Sequence, residues 1–377
     1  MNNIGIDISS LGKKKIGGGE YFLRNLCIGL NEISNFSDNH RFTIFYSKDF
    51  DVSFLKENKN FILKKTPIFY QTNYIIRSLL YFLFFPIILK INRIDLIFYA
   101  FPTRPIFNII GIKSVGIIYD IQEKIFLNNE ASKQKKFFYN YFIQKTLNLN
   151  DTTFCISENS KKEILSHYKS NKRLTNLDAP IRELTSCDNQ IEYKKPFFLY
   201  VGSLHVHKNV ITILKSYLKL RNMGYDYDLY IVGAKQTNND SIKNFIHDNN
   251  LISVHLIGSV TDTELCNYYK SATLFLFPSL YEGFGMPLVE AMFCKTLILT
   301  TKESCIKDVT GNFANYVDDP LCEDKWTSKI IDLINNLKID SNKLEEARKW
   351  ALGKYHYKNV AKNYIKEFDL LLFNSKT

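Results

Sequence analysis

The sequence predicts an α/β protein of two doubly wound domains with parallel sheets. Three observations lead there. A chain of 377 residues is long enough for two domains, each with its own core. Apolar runs of strand length alternate with amphipathic helical stretches along most of it, the pattern of parallel sheets covered by helices on both faces. The alternation restarts near residue 196, after a polar, irregular stretch at 171–195 that contains Asp178-Ala-Pro180 and Asn189-Gln-Ile-Glu192.

Taken in order, strands are expected at 3–8, 41–47, 95–100, 113–118 and 152–156 in the first half, with helices at 18–33, 132–148 and 158–168. The chain opens on Met1-Asn-Asn-Ile-Gly-Ile-Asp-Ile-Ser9, which reads as a strand and lacks the basic start and long apolar core of a signal peptide. In the second half, Pro196 precedes Phe197-Phe-Leu-Tyr-Val-Gly202, a strand ending on glycine. Further strands are expected at 228–233, 254–258, 273–277 and 296–300, with helices at 208–222, 240–249, 262–270 and 286–294. The apolar pattern Val360, Tyr364, Phe368 and Leu371 predicts a C-terminal helix. The expected domains are 1–180, 196–356 and a terminal helix at 357–377 that crosses back to the first domain. Ligands of such folds bind beyond the carboxyl ends of the strands.

Composition narrows the partners. A net charge of +11 suggests an anionic partner. The charge is dispersed in small clusters such as Lys13–Lys15 and Lys133-Gln-Lys-Lys136, a pattern that argues against nucleic acid. The seven cysteines are spread out and form no C-x-x-C pair, which points to a reducing compartment and away from a disulfide framework or zinc ribbon. The run Leu79–Leu89 is far short of the roughly 20 apolar residues that span a bilayer, and Pro86 interrupts it. It reads either as a core helix or as a helix lying on an anionic membrane, with Arg77, Lys90 and Arg93 beside it.

The chemistry concentrates in Pro278-Ser-Leu-Tyr-Glu-Gly-Phe-Gly-Met-Pro-Leu-Val-Glu290. It follows the buried strand Ala272–Phe277, turns on Gly283 and Gly285, and enters a helix at Pro287, a residue suited to a first helical turn. Glu282 then stands on a strand-to-helix loop and Glu290 one turn into the helix, at the edge of a crevice. Helix-start amides attract phosphate, and the two acids can hold hydroxyls on either side of it. Sugar, phosphate and ribose in a row describe a nucleotide-sugar. Lys208, after the glycine of the strand 197–202, is placed to hold a phosphate by charge. His205 and His207 have no local carboxylate or cysteine to complete a metal site, and Asp226-Tyr-Asp228 leads straight into a strand, so no metal is expected. Gly17-Gly-Gly19 before a helix permits close approach of a ligand but is not the G-x-G-x-x-G dinucleotide fingerprint.

These motifs carry a resemblance. The C-terminal half resembles the retaining glycosyltransferases of family 4, which have the two-domain GT-B fold with a ligand crevice between facing domains. The likeness rests on Phe198-Leu-Tyr-Val-Gly-Ser203 with Lys208-Asn209, Leu229-Tyr-Ile-Val-Gly233, Ile257-Gly258, Thr261-Asp262-Thr-Glu264-Leu265 with Tyr269, and the E-x7-E segment Glu282 to Glu290. More loosely, Gly17-Gly-Gly-Glu-Tyr-Phe-Leu-Arg-Asn25 and Ile156-Ser-Glu-Asn-Ser-Lys161 are similar to the family's glycine loop and to the segment leading to the crevice. The resemblance implies that Glu290 grips the ribose, that Glu282 lies near the donor sugar, and that Lys208 holds the diphosphate. It implies further donor contacts at Gly18, Gly19, Ser203, Gly258, Val260, Gly283, Phe284, Gly285, Met286 and Leu288. Catalytic roles fall to Glu282, Lys208, Tyr119 and Asp120. Two positions depart from the family: Ser203 where an arginine is frequent, and Tyr119 where the family usually has histidine before Asp120.

The implied activity is transfer of a sugar, with retention, from a nucleotide-sugar to a lipid-linked surface polysaccharide. The resemblance places the protein in the cytoplasm, peripheral at the inner face of the membrane. The donor is a substrate and no cofactor is implied. GDP-mannose is favoured, because the Asp120-Ile-Gln122 region is similar to mannosyl- and rhamnosyl-transferring members. A nucleotide-sugar epimerase of similar architecture and a non-catalytic nucleotide-sugar binder remain as alternatives.

Overall fold

The computed structural model describes residues 1–11, 17–34, 39–48, 50–66, 74–101, 109–126, 133–184, 193–233, 240–336 and 340–373, without the side chains of 74–79 and 133–135. The basic run 13–15, Cys187 and the side chains of Arg77, Lys133 and Lys135 lie outside the described residues. The chain forms two units, Met1–Ile181 with Tyr355–Thr377, and Arg182–Lys354. The division thus falls at 181/182, inside the polar stretch 171–195 and one residue past the expected end of the first domain, with residues from 182 onward belonging to the second unit. Polar composition marks irregular chain, whereas membership of a unit follows side-chain partners: Arg182 pairs with Asp262, and Glu183 accepts from the Arg348 guanidinium at 2.7 Å.

The first unit holds a seven-stranded parallel sheet. Its strands are β1 (Asn2–Asp7), β2 (His40–Tyr46), β3 (Phe61–Lys65), β4 (Leu96–Tyr99), β5 (Lys113–Ile118), β6 (Thr152–Cys155) and β7 (Arg173–Asn176), in the order β3-β2-β1-β4-β5-β6-β7. The central strands are Ile-, Val- and Phe-rich because both sheet faces are covered. The edge strands β3 and β7 escaped the sequence reading, since Phe-Ile-Leu-Lys-Lys and Arg-Leu-Thr-Asn carry little apolar signal. Helices α1 (Gly18–Ser34), α2 (Tyr74–Ile91), α3 (Gln122–Phe126), α4 (Lys133–Leu149) and α5 (Glu158–His167) connect them.

Helix α2 divides its apolar residues between two environments. Phe85 and Leu89 are buried with Phe45, Ile94, Ile97 and Tyr99, while Leu83, Phe84, Ile87 and Ile91 are exposed. Phe85 and Leu89 thus belong to the core, as the core-helix reading expects, while the opposite side of the helix is solvent-exposed. Among the described residues, no helix is long and apolar enough to cross a membrane.

The second unit holds a six-stranded parallel sheet of β8 (Phe197–Val201), β9 (Asp228–Val232), β10 (Val254–Gly258), β11 (Leu274–Phe277), β12 (Ile298–Thr300) and β13 (Asn315–Tyr316), ordered β10-β9-β8-β11-β12-β13. Its helices are α6 (Val210–Asn222), α7 (Asp240–Asp248), α8 (Asp262–Ser271), α9 (Met286–Phe293), α10 (Ile306–Thr310), α11 (Glu323–Asn335) and α12 (Ser341–Tyr355). Tyr217, Leu220 and Trp326 pack against Phe198, Leu229 and Leu274 in its core. At roughly 25 cal/mol per Å² of buried apolar surface, such large side chains are the main stabilising contribution of the unit.

The last helix, α13 (Tyr357–Phe373), returns to the first unit. Val360, Tyr364, Phe368 and Leu372 are buried on it, and Tyr364 meets Phe98 and Phe154 edge-on at 6.0 and 5.3 Å between ring centroids.

Strand order positions the site. From β8 the chain winds outward through β9 and β10; from β11 it winds the other way through β12 and β13. The loops leaving the carboxyl ends of β8 and β11 diverge there, leaving the crevice where doubly wound sheets bind ligands.

Candidate active site

The segment after β8 begins at Gly202, whose amide donates to the Val232 carbonyl at 2.9 Å. Gly233, at the end of β9, packs so close that a Cβ there would lie 2.1 Å from the Gly202 carbonyl oxygen, so no other residue fits. Ser203 is held by its backbone, its carbonyl accepting from the Tyr200 hydroxyl at 2.6 Å. A 3-10 turn at Val206–Lys208 follows, and Asn209 adopts a left-handed conformation (φ 54°) before α6 begins at Val210. Lys208 therefore lies ahead of α6, not on its first turn as the expected helix at 208–222 implied. The cause is local: the Asn209 side-chain oxygen accepts from the Thr212 hydroxyl at 2.7 Å, and its amide group donates to the Pro320 carbonyl at 2.8 Å. Asparagine tolerates this backbone better than most residues.

After β11, Ser279 to Gly285 forms a buried turn. Gly285 takes φ 87° at the N-cap of α9, and Pro287 stands in the first helical turn. The left-handed φ is why glycine is needed there. Side chains from the segment after β12 hold this turn. The Ser304 hydroxyl donates to the Glu282 carbonyl at 2.7 Å, the Cys305 thiol approaches the Glu282 and Phe284 carbonyls at 3.2 and 3.3 Å, and the Thr301 hydroxyl donates to the Ser279 carbonyl at 2.8 Å. The sequence offered no motif that would single out Thr301, Ser304 or Cys305; only the strand order brings them to the turn.

The two loops meet through their charged residues. The Lys208 ammonium lies 2.7 Å from both carboxylate oxygens of Glu282. Glu282 is buried at 8% exposure, and Lys208 is largely enclosed. Two residues expected to address separate parts of a ligand, Lys208 and Glu282, are thus bonded to each other. His207 fixes the same junction through its backbone, its carbonyl accepting from the Leu280 amide at 2.8 Å. Burial and the neighbouring Lys208 charge push the His207 pKa down to about 3 and lower that of His205, so both rings are neutral near pH 7.

Glu290 departs from expectation more clearly. It was placed on a crevice edge, yet it is buried at 5% exposure, and its carboxylate accepts from the Tyr269 hydroxyl at 3.0 Å. Burial pushes its pKa up to about 7, against the opposing pull of the Tyr269 hydrogen bond. Tyr269, from α8, also donates to the Pro287 carbonyl at 3.2 Å. The Leu288 side chain is fully buried and its amide donates to the Gly285 carbonyl at 3.0 Å, so it shapes the turn. Gly258 (φ 84°) ends β10, its carbonyl accepting from the Gly233 amide at 2.8 Å. Val260, half-buried, precedes the Thr261 cap of α8.

Other expected residues lie in the first unit. Gly18 and Gly19 begin α1. The Asp120 side chain accepts from the Gln122 amide at 3.1 Å and so caps α3. The Tyr119 hydroxyl donates to the Ala100 carbonyl at 3.0 Å, and its ring meets Phe22 edge-on at 5.1 Å. Burial raises its pKa well above the usual phenol value. The Tyr119 proton is thus committed to the backbone in this structure. Tyr119→Phe is expected to cost about 1 kcal/mol of stability, the scale of one hydrogen bond, with turnover changed less than a few-fold. Melting curves and initial rates together check this; a large rate loss at unchanged stability would return the hydroxyl to a catalytic role.

Asp226 and Asp228 sit at the amino end of β9, away from Lys208. Asp226 pairs with Lys195 and Arg221, and Asp228 with His255 at 3.1 Å. Among the described residues, no group of three His, Cys, Asp or Glu side chains could hold a metal ion. Cys27, Cys155, Cys294, Cys305 and Cys322 are not disulfide-bonded. Cys266 is buried, its sulfur 3.4 Å from the Leu184 carbonyl.

Two parallel, doubly wound units, the second with a lysine–glutamate pair and a helix start at its topological switch point, have the architecture of the GT-B fold. Residues 182–350, within the second unit, match the family described as Glycosyl transferases group 1. The chain is 28% identical over 179 residues to O-antigen chain mannosyltransferase B of Escherichia coli, covering 46% of each chain. It is 32% identical over 143 residues to O-antigen chain mannosyltransferase RfbU of Salmonella typhimurium, covering 37% of this chain and 39% of that one. These matches span less than half the length of the curated relatives. Sucrose-phosphate synthase from Thermosynechococcus elongatus superimposes with a TM-score of 0.79 at 15% identity, covering 99% of this chain and 100% of that one, a likeness of fold.

Proposed function

We propose that the protein is a retaining glycosyltransferase of family 4 that moves a sugar from a nucleotide-sugar onto a lipid-linked surface polysaccharide. The observation that carries the reading is the convergence of Lys208, Glu282 and the start of α9 at the β8/β11 switch point, inside the group 1 domain. In the reaction the bond from the sugar's anomeric carbon to the diphosphate breaks, and a bond to the acceptor oxygen forms on the same face. Negative charge grows on the departing diphosphate, where the Lys208 ammonium and the α9 amides stabilise it. The departing phosphate takes the acceptor's hydroxyl proton, so no protein base is required and the committed Tyr119 hydroxyl is no obstacle. Glu290 holds the ribose and Glu282 lies near the transferred sugar. Lysine and amides supply the counter-charge that a divalent ion supplies in other transferases, so the proposal includes no metal.

GDP-mannose is the proposed donor, supported by the two O-antigen chain mannosyltransferases among the relatives. A thermal-stability screen against a nucleotide-sugar panel tests this directly, since a bound ligand raises the melting temperature by mass action. Stabilisation by GDP-mannose above other donors, followed by sugar transfer in a turnover assay, is the expected outcome. Stabilisation without turnover would favour the non-catalytic binder, and interconversion of the free donor would favour the epimerase.

The acceptor side is assigned to the first unit and to an anionic membrane surface at the inner face of the cytoplasmic membrane. Exposed Leu83, Phe84 and Ile87 on α2 and exposed Phe137 and Phe138 on α4, with exposed Lys90 and Arg93 nearby in sequence, support that assignment. Each basic residue near such a surface contributes roughly 1 kcal/mol. The protein is expected to sediment with vesicles containing anionic lipid and to be released by salt. Replacing Arg77, Lys90 and Arg93 with glutamine should weaken sedimentation and leave donor binding intact. Equal sedimentation with neutral and anionic vesicles, or none with either, would remove the membrane from the proposal.

A further inference from the structure

The Lys208–Glu282 pair is an odd arrangement for a site that must hold an anion. Both carboxylate oxygens of Glu282 lie 2.7 Å from the ammonium. The Glu282 side chain is 9% exposed and that of Lys208 17%, so solvent screens the pair weakly. The Glu282 backbone is also held from behind, its carbonyl accepting from the Ser304 hydroxyl at 2.7 Å and approached by the Cys305 thiol at 3.2 Å. Ser304 has φ 54°, a backbone conformation uncommon for a residue other than glycine. The turn is thus anchored while the lysine reaches it on a flexible stem.

An anion arriving at Lys208 therefore meets a cation that is already neutralised. We propose that Glu282 is an internal competitor for Lys208: it holds the ammonium between turnovers, yields it to the incoming diphosphate, and reclaims it as the nucleoside diphosphate product leaves. This regulatory role rests on the reading of the site given above. The exchange conserves charge pairs: the lysine trades a carboxylate for a phosphate, and the released carboxylate becomes an acceptor for hydroxyl donors of the sugar beside it. The consequence is counter-intuitive, because removing an acid from the site should tighten the product complex.

The test is calorimetric titration of the full chain with GDP, UDP and inorganic pyrophosphate. Glu282→Gln keeps the shape of the side chain and removes the competing charge. It is expected to bind all three probes on the order of tenfold more tightly, the scale of one charge-assisted hydrogen bond, while turnover falls. Adding Lys208→Met to Glu282→Gln should abolish that gain. Glu282→Asp, which shortens the acid and keeps its charge, should fall between wild type and Glu282→Gln and serves if the glutamine variant is unstable. Equal or weaker binding by Glu282→Gln, or a gain that survives loss of Lys208, would overturn the exchange and leave the functional reading standing. No binding of any probe by any form would overturn both.

Discussion

Replacing Glu290 with glutamine is expected to stabilise the protein at pH 8 and to weaken nucleotide-sugar binding in the same variant. The two effects share one cause, burial of a carboxyl group with the Tyr269 hydroxyl as its hydrogen-bond donor at 3.0 Å. Burial raises the folded pKa from 4.5 to about 7. Between those values the unfolded chain releases a proton that the folded chain retains, so stability falls as pH rises through the window. The loss is complete above about pH 7 and amounts to about 3 kcal/mol. Glutamine cannot ionise and still accepts from Tyr269. The variant should match wild type below about pH 4.5 and exceed it progressively toward pH 8. Urea unfolding at several pH values measures this; parallel curves for the two proteins would refute the burial argument. Donor affinity should move the other way. Ribose hydroxyls bind best to the ionised acid, so wild-type affinity should rise through pH 7, and the glutamine variant should lose roughly 1–3 kcal/mol of binding at pH 8. Unchanged calorimetric affinity would remove Glu290 from the ribose.

The second large effect is expected at Lys208. If the proposed mechanism holds, Lys208→Met removes the cation that stabilises the departing diphosphate and should lower kcat on the order of 10²–10³, as losing one strong transition-state donor does. It also leaves the enclosed Glu282 carboxylate without its ion-pair partner, at a cost of about 3 kcal/mol. Lys208→Arg keeps a charge and should recover most of the stability and part of the rate. Steady-state kinetics at saturating donor decide the role: a loss confined to KM would make Lys208 a ground-state contact only.

Residue by residue, the legible part of this protein is the local part. The apolar runs at β1, β8 and β11 and the helical pattern from Val360 to Phe368 could be read because strand and helix periodicity are properties of neighbouring residues. The turn from Glu282 into α9 was legible for the same reason, since two glycines and Pro287 state their backbone requirements locally. The start of α6 was placed two residues early because the left-handed Asn209 depends on contacts with Thr212 and Pro320. The edge strands β3 and β7 were missed because their pairing, not their composition, makes them strands.

By itself, then, the amino-acid sequence determined two parallel, doubly wound sheets and a carboxylate-bearing strand-to-helix turn, through periodicity, glycine and proline. Only the tertiary structure decided what the charged and polar groups do. It joined Lys208 to Glu282 across 74 residues of sequence, enclosed Glu290 beneath Tyr269 of a different helix, and committed the Tyr119 hydroxyl to the Ala100 carbonyl. Strand order and helix packing set those distances, and charge state follows from burial and the nearest partner, neither of which a linear pattern contains.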